Sequence, residues 1–282
     1  MSDNRDKYLV STDWLADHMD APDILVIDGS WHLPPTGRDG RAEYNEAHIP
    51  GAIFFDIDDI SDDASDLPHM LPRPEKFASR MRALGIGDGQ KIIVYDQAGL
   101  FSAPRVWWMF HAMGHQDVAI LDGGLPKWMA EDRPVTDELP KVRHSHFSAR
   151  RNAGMVVDAD EVAARPDHVQ LLDARPANRF AGEADEPRPG LRKGHVPGAC
   201  NLPFGNLLNE DKTLKGNDEL KRAFADAGLD LSRPVMTMCG SGVTAAILSL
   251  ALEITGNKPA GLYDGSWAEW GGDASRDIQT GA

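Results

Sequence analysis

The chain has 282 residues, a length that suggests two domains, and a formal net charge of −15 at pH 7. This charge argues against nucleic acid or an anionic membrane as a partner, because their phosphates would be repelled. Two cysteines are too few for a secreted disulfide scaffold, the first residues lack the apolar stretch of a signal peptide, and no segment reaches the roughly 18 apolar residues of a membrane span, so we expect a soluble, cytoplasmic protein.

The predicted elements occur twice in the same order along the chain. An apolar strand that ends in Asp28 returns 145 residues later as a strand that ends in Asp173. The segment His48-Ile-Pro-Gly-Ala52 returns 147 residues later as His195-Val-Pro-Gly-Ala199. A third pair of segments, 142 residues apart, consists of Leu121-Asp-Gly123 followed by Trp128, and Tyr263-Asp-Gly265 followed by Trp270.

This repeat predicts an α/β protein made of two copies of one domain. In each copy short strand-like segments alternate with helix-like ones, which is typical of a mostly parallel sheet flanked by helices. Residues 139–155 are poor in periodic apolar side chains, so we interpret them as a linker between domains 1–138 and 156–282. We expect the active site where the two domains face each other, a common place for ligand clefts.

Individual elements can be placed by their apolar pattern and their end signals. Residues 74–84 predict a helix with Pro74 in its first turn, and residues 217–227 predict a helix capped by Asn217. The apolar residues 234–238 predict a buried strand, and residues 244–254 predict a buried helix.

Cys239 lies at the turn between that buried strand and that buried helix. Gly240 and Gly242 allow the backbone to curl so that amide N–H groups point inward, and the helix adds its positive N-terminal end. Both effects favour a thiolate, so the pattern indicates a nucleophilic cysteine rather than a buried structural one. A phosphatase, a sulfurtransferase and a redox thiol all use such a loop.

Two neighbouring positions narrow the choice. A phosphatase with this loop needs an arginine six positions after the cysteine to bind phosphate in the transition state, and here that residue is Ala245. In the first repeat the residue that aligns with Cys239 is Asp96. We therefore expect the N-terminal domain to be non-catalytic, although it can supply groups to the site across the cleft.

These residues resemble the tandem-rhodanese sulfurtransferases over nearly the whole chain, and the segment Cys239-Gly-Ser-Gly-Val-Thr-Ala245 is similar to the loop of the enzymes that use 3-mercaptopyruvate. The thiosulfate-using branch typically has basic residues directly after its cysteine, where this chain has Gly240 and Ser241. Further matching segments are Gly37-Arg38-Asp39, His69-Met-Leu-Pro72, Ser102-Ala-Pro-Arg-Val-Trp-Trp108, Glu186-Pro-Arg188 and Tyr263-Asp-Gly-Ser-Trp267.

The resemblance implies a sulfurtransferase in which Cys239 takes the sulfur of 3-mercaptopyruvate as a persulfide and pyruvate is released. A second step passes the sulfur to an acceptor such as thioredoxin, a small thiol or cyanide. Two alternatives stay open, a thiosulfate sulfurtransferase and a protein that carries or senses a persulfide. No metal-ligand cluster occurs in the sequence, and we expect no cofactor.

The same resemblance implies roles for individual residues. Arg179 and Arg188 match the substrate arginines, whose guanidinium groups can bind a carboxylate and a ketone. Ser241, His69 and Asp58 match a hydroxyl, imidazole and carboxylate set that relays a proton. The expected donors to developing negative charge are the loop amides of Gly240, Gly242, Val243 and Thr244.

Other conspicuous residues are predicted to be structural. His48 and His195 recur in both repeats, including the repeat without a nucleophile, so we expect them to organise turns. Cys200 is predicted to enter a strand as an inert thiol. The tryptophans predicted to lie in the core or at the domain interface are Trp107, Trp108, Trp267 and Trp270.

Overall fold

Two parallel five-stranded sheets, one from each half of the sequence, organise the chain in this computed structural model, which describes residues 4–281. The strands of the first sheet are β1 (Leu9–Val10), β2 (Ile24–Asp28), β3 (Ile53–Phe54), β4 (Lys91–Tyr95) and β5 (Val118–Leu121). The strands of the second sheet are β6 (Val156–Val157), β7 (Gln170–Asp173), β8 (Cys200–Asn201), β9 (Val235–Met238) and β10 (Gly261–Tyr263).

The two sheets have the same topology. Their strand orders are β1-β5-β4-β2-β3 and β6-β10-β9-β7-β8, and all strand pairs are parallel. Each strand of the second half therefore occupies the place of its counterpart in the first half. Tandem α/β domains with parallel sheets were predicted from the repeat, and the structure confirms them.

Helices connect the strands, as parallel pairing requires. The α-helices are α1 (Arg5–Tyr8), α2 (Thr12–His18), α3 (Gly40–Glu46), α4 (Pro74–Ala83), α5 (Ala103–Ala112), α6 (Gly124–Ala130), α7 (Ala159–Ala163), α8 (Ala177–Phe180), α9 (Asn217–Asp226), α10 (Ala245–Ile254) and α11 (Ser266–Trp270). Short 3₁₀ segments are Pro34–Thr36, Ala153–Met155 and Phe204–Leu207.

The start of α9 differs in detail from the sequence prediction. Asn217 is the first helical residue, and the capping position belongs to Gly216, which has an extended backbone. A side chain within the helix cannot accept from the first-turn amides in the way that a capping residue does. The amide of Gly216 instead donates to Glu219 Oε2 at 3.2 Å, so the cap is formed by Glu219.

Helices α5 and α10 pack against each other where the two domains meet. All ten residues of α5 are buried, and one apolar cluster extends from Trp107 on this helix to Leu248 on α10. Each helix begins directly after the loop that follows the fourth strand of its own sheet. The helix pair consequently brings both loops to the interface between the domains.

Segments outside the sheets also join the two halves. Residues 139–152 lack regular structure, but Phe147 is fully buried and its carbonyl accepts from Arg82 at 3.2 Å, so this segment packs along the first domain. Helix α1 reaches the second domain, where the Tyr8 hydroxyl donates to Glu253 at 3.1 Å. The boundaries at 138/139 and 155/156 stay predictions, and residues 1–3 and 282 lie outside the described residues.

Candidate active site

Cys239 follows strand β9 and opens the loop of residues 239–244, here called the Cys239 loop, which ends where α10 begins. It is 2% exposed. Gly242 has φ +76°, and a side chain there would lie 2.9 Å from Arg105 Nη1 and 2.9 Å from the Asp264 carbonyl oxygen. Glycine is required at this position for its backbone angle and for the space.

The Cys239 loop presents a row of amide N–H groups that have no partner. Within the described part of the chain, the amides without a hydrogen bond include those of Gly240, Ser241, Val243, Thr244 and Ala245. Unbonded amides at a helix N-terminus form an anion-binding site, because the N–H dipoles and the helix dipole point toward the same space. The expected donors of the loop are available, with one exception.

The exception is Gly242, whose amide donates to Ser266 Oγ at 3.1 Å. The Cys239 amide donates to the same hydroxyl at 3.1 Å, and that hydroxyl donates to the Tyr263 carbonyl at 2.7 Å. The Gly242 amide is therefore not directed at the cavity, contrary to the prediction, because Ser266 uses it to hold the loop. Sequence reasoning gave Ser266 no role, and its only indication was its place in the Tyr263-to-Trp267 segment.

The repeat-related loop of the first domain, residues 96–102 (the Asp96 loop), contains its own anion. Asp96 Oδ2 accepts from the amides of Phe101, Ser102 and Ala103, each at 2.8 Å, and Oδ1 accepts from Ala98 at 2.9 Å. A buried carboxylate thus saturates the donors that the Cys239 loop leaves unbonded. This arrangement supports the prediction that the first domain is non-catalytic.

Arg179 lies against the Cys239 loop, because a side chain on Gly240 would be 3.2 Å from its Nη2. Its guanidinium group is bonded to Glu186 through Nε at 3.1 Å and also through Nη2. Glu186 is 1% exposed and also accepts from Arg175 at 2.8 Å. Glu186 therefore orients Arg179 and offsets part of its charge.

Arg188 is placed differently, since it forms no ion pair with any residue between 4 and 281. Its Nη2 lies 3.2 Å from His69 Nε2. Burial lowers the pKa of this guanidinium below its usual value of 12.5, but arginine stays charged at neutral pH. Arg188 consequently carries a positive charge that a substrate carboxylate can neutralise.

Asp58 and His69 come together at the edge of the cavity. His69 Nδ1 lies 2.8 Å from Asp58 Oδ1, although its N–H direction leaves Nδ1 without a well-aligned hydrogen bond. Trp31 Nε1 donates to the other carboxylate oxygen at 3.0 Å. Burial lowers the pKa of His69 below 6.5, and the charge of Asp58 only partly opposes this, so the imidazole is neutral at pH 7.

The predicted relay set is brought together only in part. Arg188 can only donate, so His69 Nε2 accepts and the proton of the neutral ring lies on Nδ1, toward Asp58. Among the described residues, no hydrogen bond joins His69 to Ser241. Ser241 is 4% exposed beside Cys239, and the third contact of the relay is absent from this structure.

These groups surround a cavity of about 130 Å³. Its polar side comprises the Cys239 loop and the two predicted arginines, and its apolar walls are Trp31, Leu33, Phe101 and Phe204. A wider groove of about 800 Å³ surrounds Cys200 and Arg165 and contains none of the predicted site residues. The smaller cavity is the candidate active site, because only there do a thiol and free cationic and amide donors converge.

A family model for the Rhodanese-like domain matches residues 11–131 and 158–273. The chain belongs to the rhodanese family. The 3-mercaptopyruvate sulfurtransferase of Escherichia coli (strain K12) is 46% identical to this rhodanese over 275 residues, 96% of this chain and 98% of that protein. The crystal structure of SseA from Escherichia coli matches with a TM-score of 0.85 and 44% identity, covering 93% of this chain and 99% of that one.

A relative with another name is almost as similar. The thiosulfate sulfurtransferase of Cricetulus griseus is 40% identical over 271 residues, 93% of this chain and 91% of that protein. Overall identity to this rhodanese therefore does not select the sulfur donor, and the argument for a donor depends on the residues of the cavity.

The residues predicted to be structural in this rhodanese are so placed. His48 Nδ1 bonds the Tyr44 carbonyl at 2.7 Å, and His195 Nδ1 bonds the Phe180 carbonyl at 2.9 Å, with each imidazole stacked on that aromatic ring. Cys200 begins strand β8, where it is partly buried, and burial raises the pKa of its thiol. The four predicted tryptophans are all buried.

Metal and membrane features were also sought in the residues that the structure describes. Over residues 4–281 no group of three or more histidine, cysteine, aspartate or glutamate side chains is placed to hold a metal ion. No helix in the same range is long and apolar enough to cross a bilayer.

Proposed function

We propose that this rhodanese is a sulfurtransferase that moves sulfur from 3-mercaptopyruvate through a persulfide on Cys239 to a thiol or cyanide and releases pyruvate. The observation that carries the proposal is a buried thiol in a small cavity that also contains unbonded loop amides and the Arg188 guanidinium. Relatives named 3-mercaptopyruvate sulfurtransferase, 40% to 46% identical over nearly the full chain, support the same reaction.

The first step is attack of the Cys239 thiolate on the sulfur of 3-mercaptopyruvate. An S–S bond forms, the bond between that sulfur and C3 breaks, and its electron pair leaves as the enolate of pyruvate. Protonation of the enolate at C3 gives pyruvate. In the second step an acceptor thiolate or cyanide takes the terminal sulfur, and the Cys239 thiolate is regenerated.

The arrangement of charge favours a mercapto-acid over an inorganic dianion. Gly240 and Ser241 add no cation next to the thiol, so positive charge is offered at a distance from the reacting sulfur, by Arg188. A guanidinium group there suits a carboxylate, and the amides from Val243 to Ala245 suit the oxygen that becomes negative in the enolate. Thiosulfate would place its charge nearest the position that has no cation.

Arg188 and His69 link substrate binding to the proton relay. A carboxylate bonds a guanidinium group more strongly than a neutral imidazole does, so a bound substrate competes with His69 for Arg188. Loss of this contact frees His69 Nε2 to accept from the hydroxyl of Ser241. We propose that Ser241, His69 and Asp58 then carry the proton that converts the enolate to pyruvate.

The decisive experiment measures catalytic efficiency with 3-mercaptopyruvate and with thiosulfate, each with cyanide and with thioredoxin as acceptor. We expect higher efficiency with 3-mercaptopyruvate, and a gain of one sulfur atom in mass on Cys239 when the acceptor is omitted. Cys239→Ser is the control and should show neither turnover nor the mass gain. Higher efficiency with thiosulfate would overturn the donor, and persulfide formation without turnover would favour a carrier or sensor.

A further inference from the structure

Two repeat-related aspartates connect the domains in a reciprocal way. Asp122 of the first domain accepts from the amide of Leu214 in the second domain at 2.8 Å. Asp264 of the second domain accepts from the amide of Leu71 in the first domain at 2.6 Å. The aspartates are 142 residues apart and the leucines 143. We call these contacts the Asp122 bridge and the Asp264 bridge.

An arginine completes each bridge, and here the two differ. Arg5 joins the Asp122 bridge at 2.9 Å, with 25% of its side chain exposed. Arg105, on α5, joins the Asp264 bridge at 2.6 Å and is fully buried. A buried guanidinium group needs an acceptor for each of its donors, and Arg105 takes its further acceptors from the active site.

Arg105 contacts both halves of the active site. Its Nη2 donates to the carbonyl of His69, and its Nη1 lies 3.4 Å from the carbonyl of Gly242 in the Cys239 loop. His69 has φ +62°, an angle that a non-glycine residue adopts only when its surroundings hold it there. The Arg105 contact is one such restraint, and the direction of the imidazole depends on it.

Asp264 acts on the same loop from the other side. It lies two residues before Ser266, whose hydroxyl accepts from the amides of Cys239 and Gly242. Its carbonyl and carboxylate also lie so close to Gly242 that an added side chain would be 2.9 Å and 3.0 Å from them. A shift of the Arg105–Asp264 pair would therefore move His69 and the Cys239 loop together.

We propose that Arg105 and Asp264 are positioning residues, which set His69 and the Cys239 loop in register across the domain interface, whereas the Asp122 bridge only fastens the domains. Neither residue is needed to bind the substrate, because Arg179 and Arg188 have separate supports. The reaction used to measure the effect is that of the proposed function.

The chain supplies its own control for the first experiment. Asp264→Asn and Asp122→Asn each keep an oxygen for the leucine amide and remove the charge that the arginine faces. We expect comparable losses of thermal stability. A small displacement of reacting groups lowers rates by about 10- to 100-fold, so Asp264→Asn should lower kcat by that amount with KM near the wild-type value. Asp122→Asn should leave kcat and KM unchanged.

A second variant and a second readout complete the test. Arg105→Lys keeps the charge but has one ammonium group for three separated acceptors, so its kcat should also fall about tenfold. The rate at which iodoacetamide alkylates Cys239 should fall in Asp264→Asn and Arg105→Lys and stay at the wild-type value in Asp122→Asn. Alkylation needs no sulfur donor, so it tests the proposal even if wild type does not use 3-mercaptopyruvate.

Three results would overturn the proposal. The first is equal loss of kcat in Asp264→Asn and Asp122→Asn, which would make the effect one of general stability. The second is wild-type kcat and alkylation in Arg105→Lys. The third is failure of both Asp264→Asn and Arg105→Lys to fold, which would give the bridge a purely structural role.

Discussion

The Asp96 loop and the Cys239 loop occupy the same place in two sheets of the same topology, yet only one leaves its donors available. In the first domain a carboxylate that belongs to the protein accepts from four amides. In the second domain a thiol stands at that position and the amides are unbonded. The difference indicates that the fold provides an anion site in both halves, and that chemistry arises where no fixed carboxylate fills it.

The segment before the second repeated histidine is the next difference. A single residue, Ala47, separates α3 from His48, whereas fourteen residues, 181–194, separate α8 from His195. Glu186 and Arg188 both lie in this longer segment. The groups that orient and charge the cavity therefore come from an insertion that the first half lacks.

The exchange of residues between the halves is reciprocal but not equivalent. His69 of the first domain reaches the site of the second domain, and Lys212, 143 residues later, lies over Gly99 in the Asp96 loop. Both residues have positive φ, +62° and +68°. The backbone of the crossing loop is thus repeated, and only its side chain distinguishes a catalytic contact from a structural one.

The largest expected effect comes from installing the first domain's solution in the second. Cys239→Asp should fold and place its own carboxylate on the loop amides, as Asp96 does. We expect no measurable sulfur transfer and a thermal stability at or above that of Cys239→Ser, because the carboxylate satisfies the unbonded amides. A stability far below that of Cys239→Ser would contradict the equivalence of the two loops.

The buried aspartates at the ends of β2 and β7 should respond oppositely to substitution. Asp28 has Ser30 where Asp173 has Arg175, and burial without a cation raises the pKa of Asp28 from 3.8 to about 6. The folded state then holds the proton more tightly than the unfolded state, so this group loses stability as pH rises from about 4 to 6, by up to about 3 kcal/mol.

Measurements of unfolding free energy from pH 4 to 8 test this difference. Asp28→Asn should remove the pH dependence and be the more stable protein above pH 6. Asp173→Asn should be destabilised by about 3 kcal/mol at pH 7, because it removes one partner of the buried Arg175. Equal behaviour of the two variants would show that the cation at position 175 is not the cause.

The two substrate arginines should contribute unequally. Arg188→Ala should lower kcat/KM for 3-mercaptopyruvate by about 2 kcal/mol, roughly 30-fold, because its charge has no carboxylate partner in the described chain. Arg179→Ala should cost about 1 kcal/mol, since Glu186 already accepts from that guanidinium group. Steady-state kinetics of both variants decide the order, and a larger loss in Arg179→Ala would reverse the assignment.

The smallest expected effect is a shift in the pH profile. Asp58 favours the imidazolium form of His69, so Asp58→Asn should lower the pKa of His69 further. The acid limb of kcat/KM should then move to lower pH, with a modest loss of rate. The matched control Lys212→Ala changes the corresponding residue at the Asp96 loop and should leave the profile unchanged. Movement of the limb to higher pH in Asp58→Asn would refute the pairing with His69.

Much of the fold could be predicted because it depends on local pattern and on the repeat. The strand before Cys239, the helix after it and the helix that begins at Pro74 each have an apolar period and an end signal. The capping of α9 was predicted wrongly, because an asparagine and a preceding glycine both fit the position. Cap identity depends on backbone angles that the sequence alone does not specify.

Cys239 as the reactive position, the two arginines and the location of the site between two domains were all determined by the sequence, because they depend on order along the chain and on the repeat. The contacts that cross between domains were decided only by the tertiary structure. The bond of Ser266 to the Cys239 amide, the pairing of Arg105 with Asp264, and the contact of Arg188 with His69 join residues 27, 159 and 119 positions apart. No local period relates residues so distant, and only the packing of α5 against α10 brings them together.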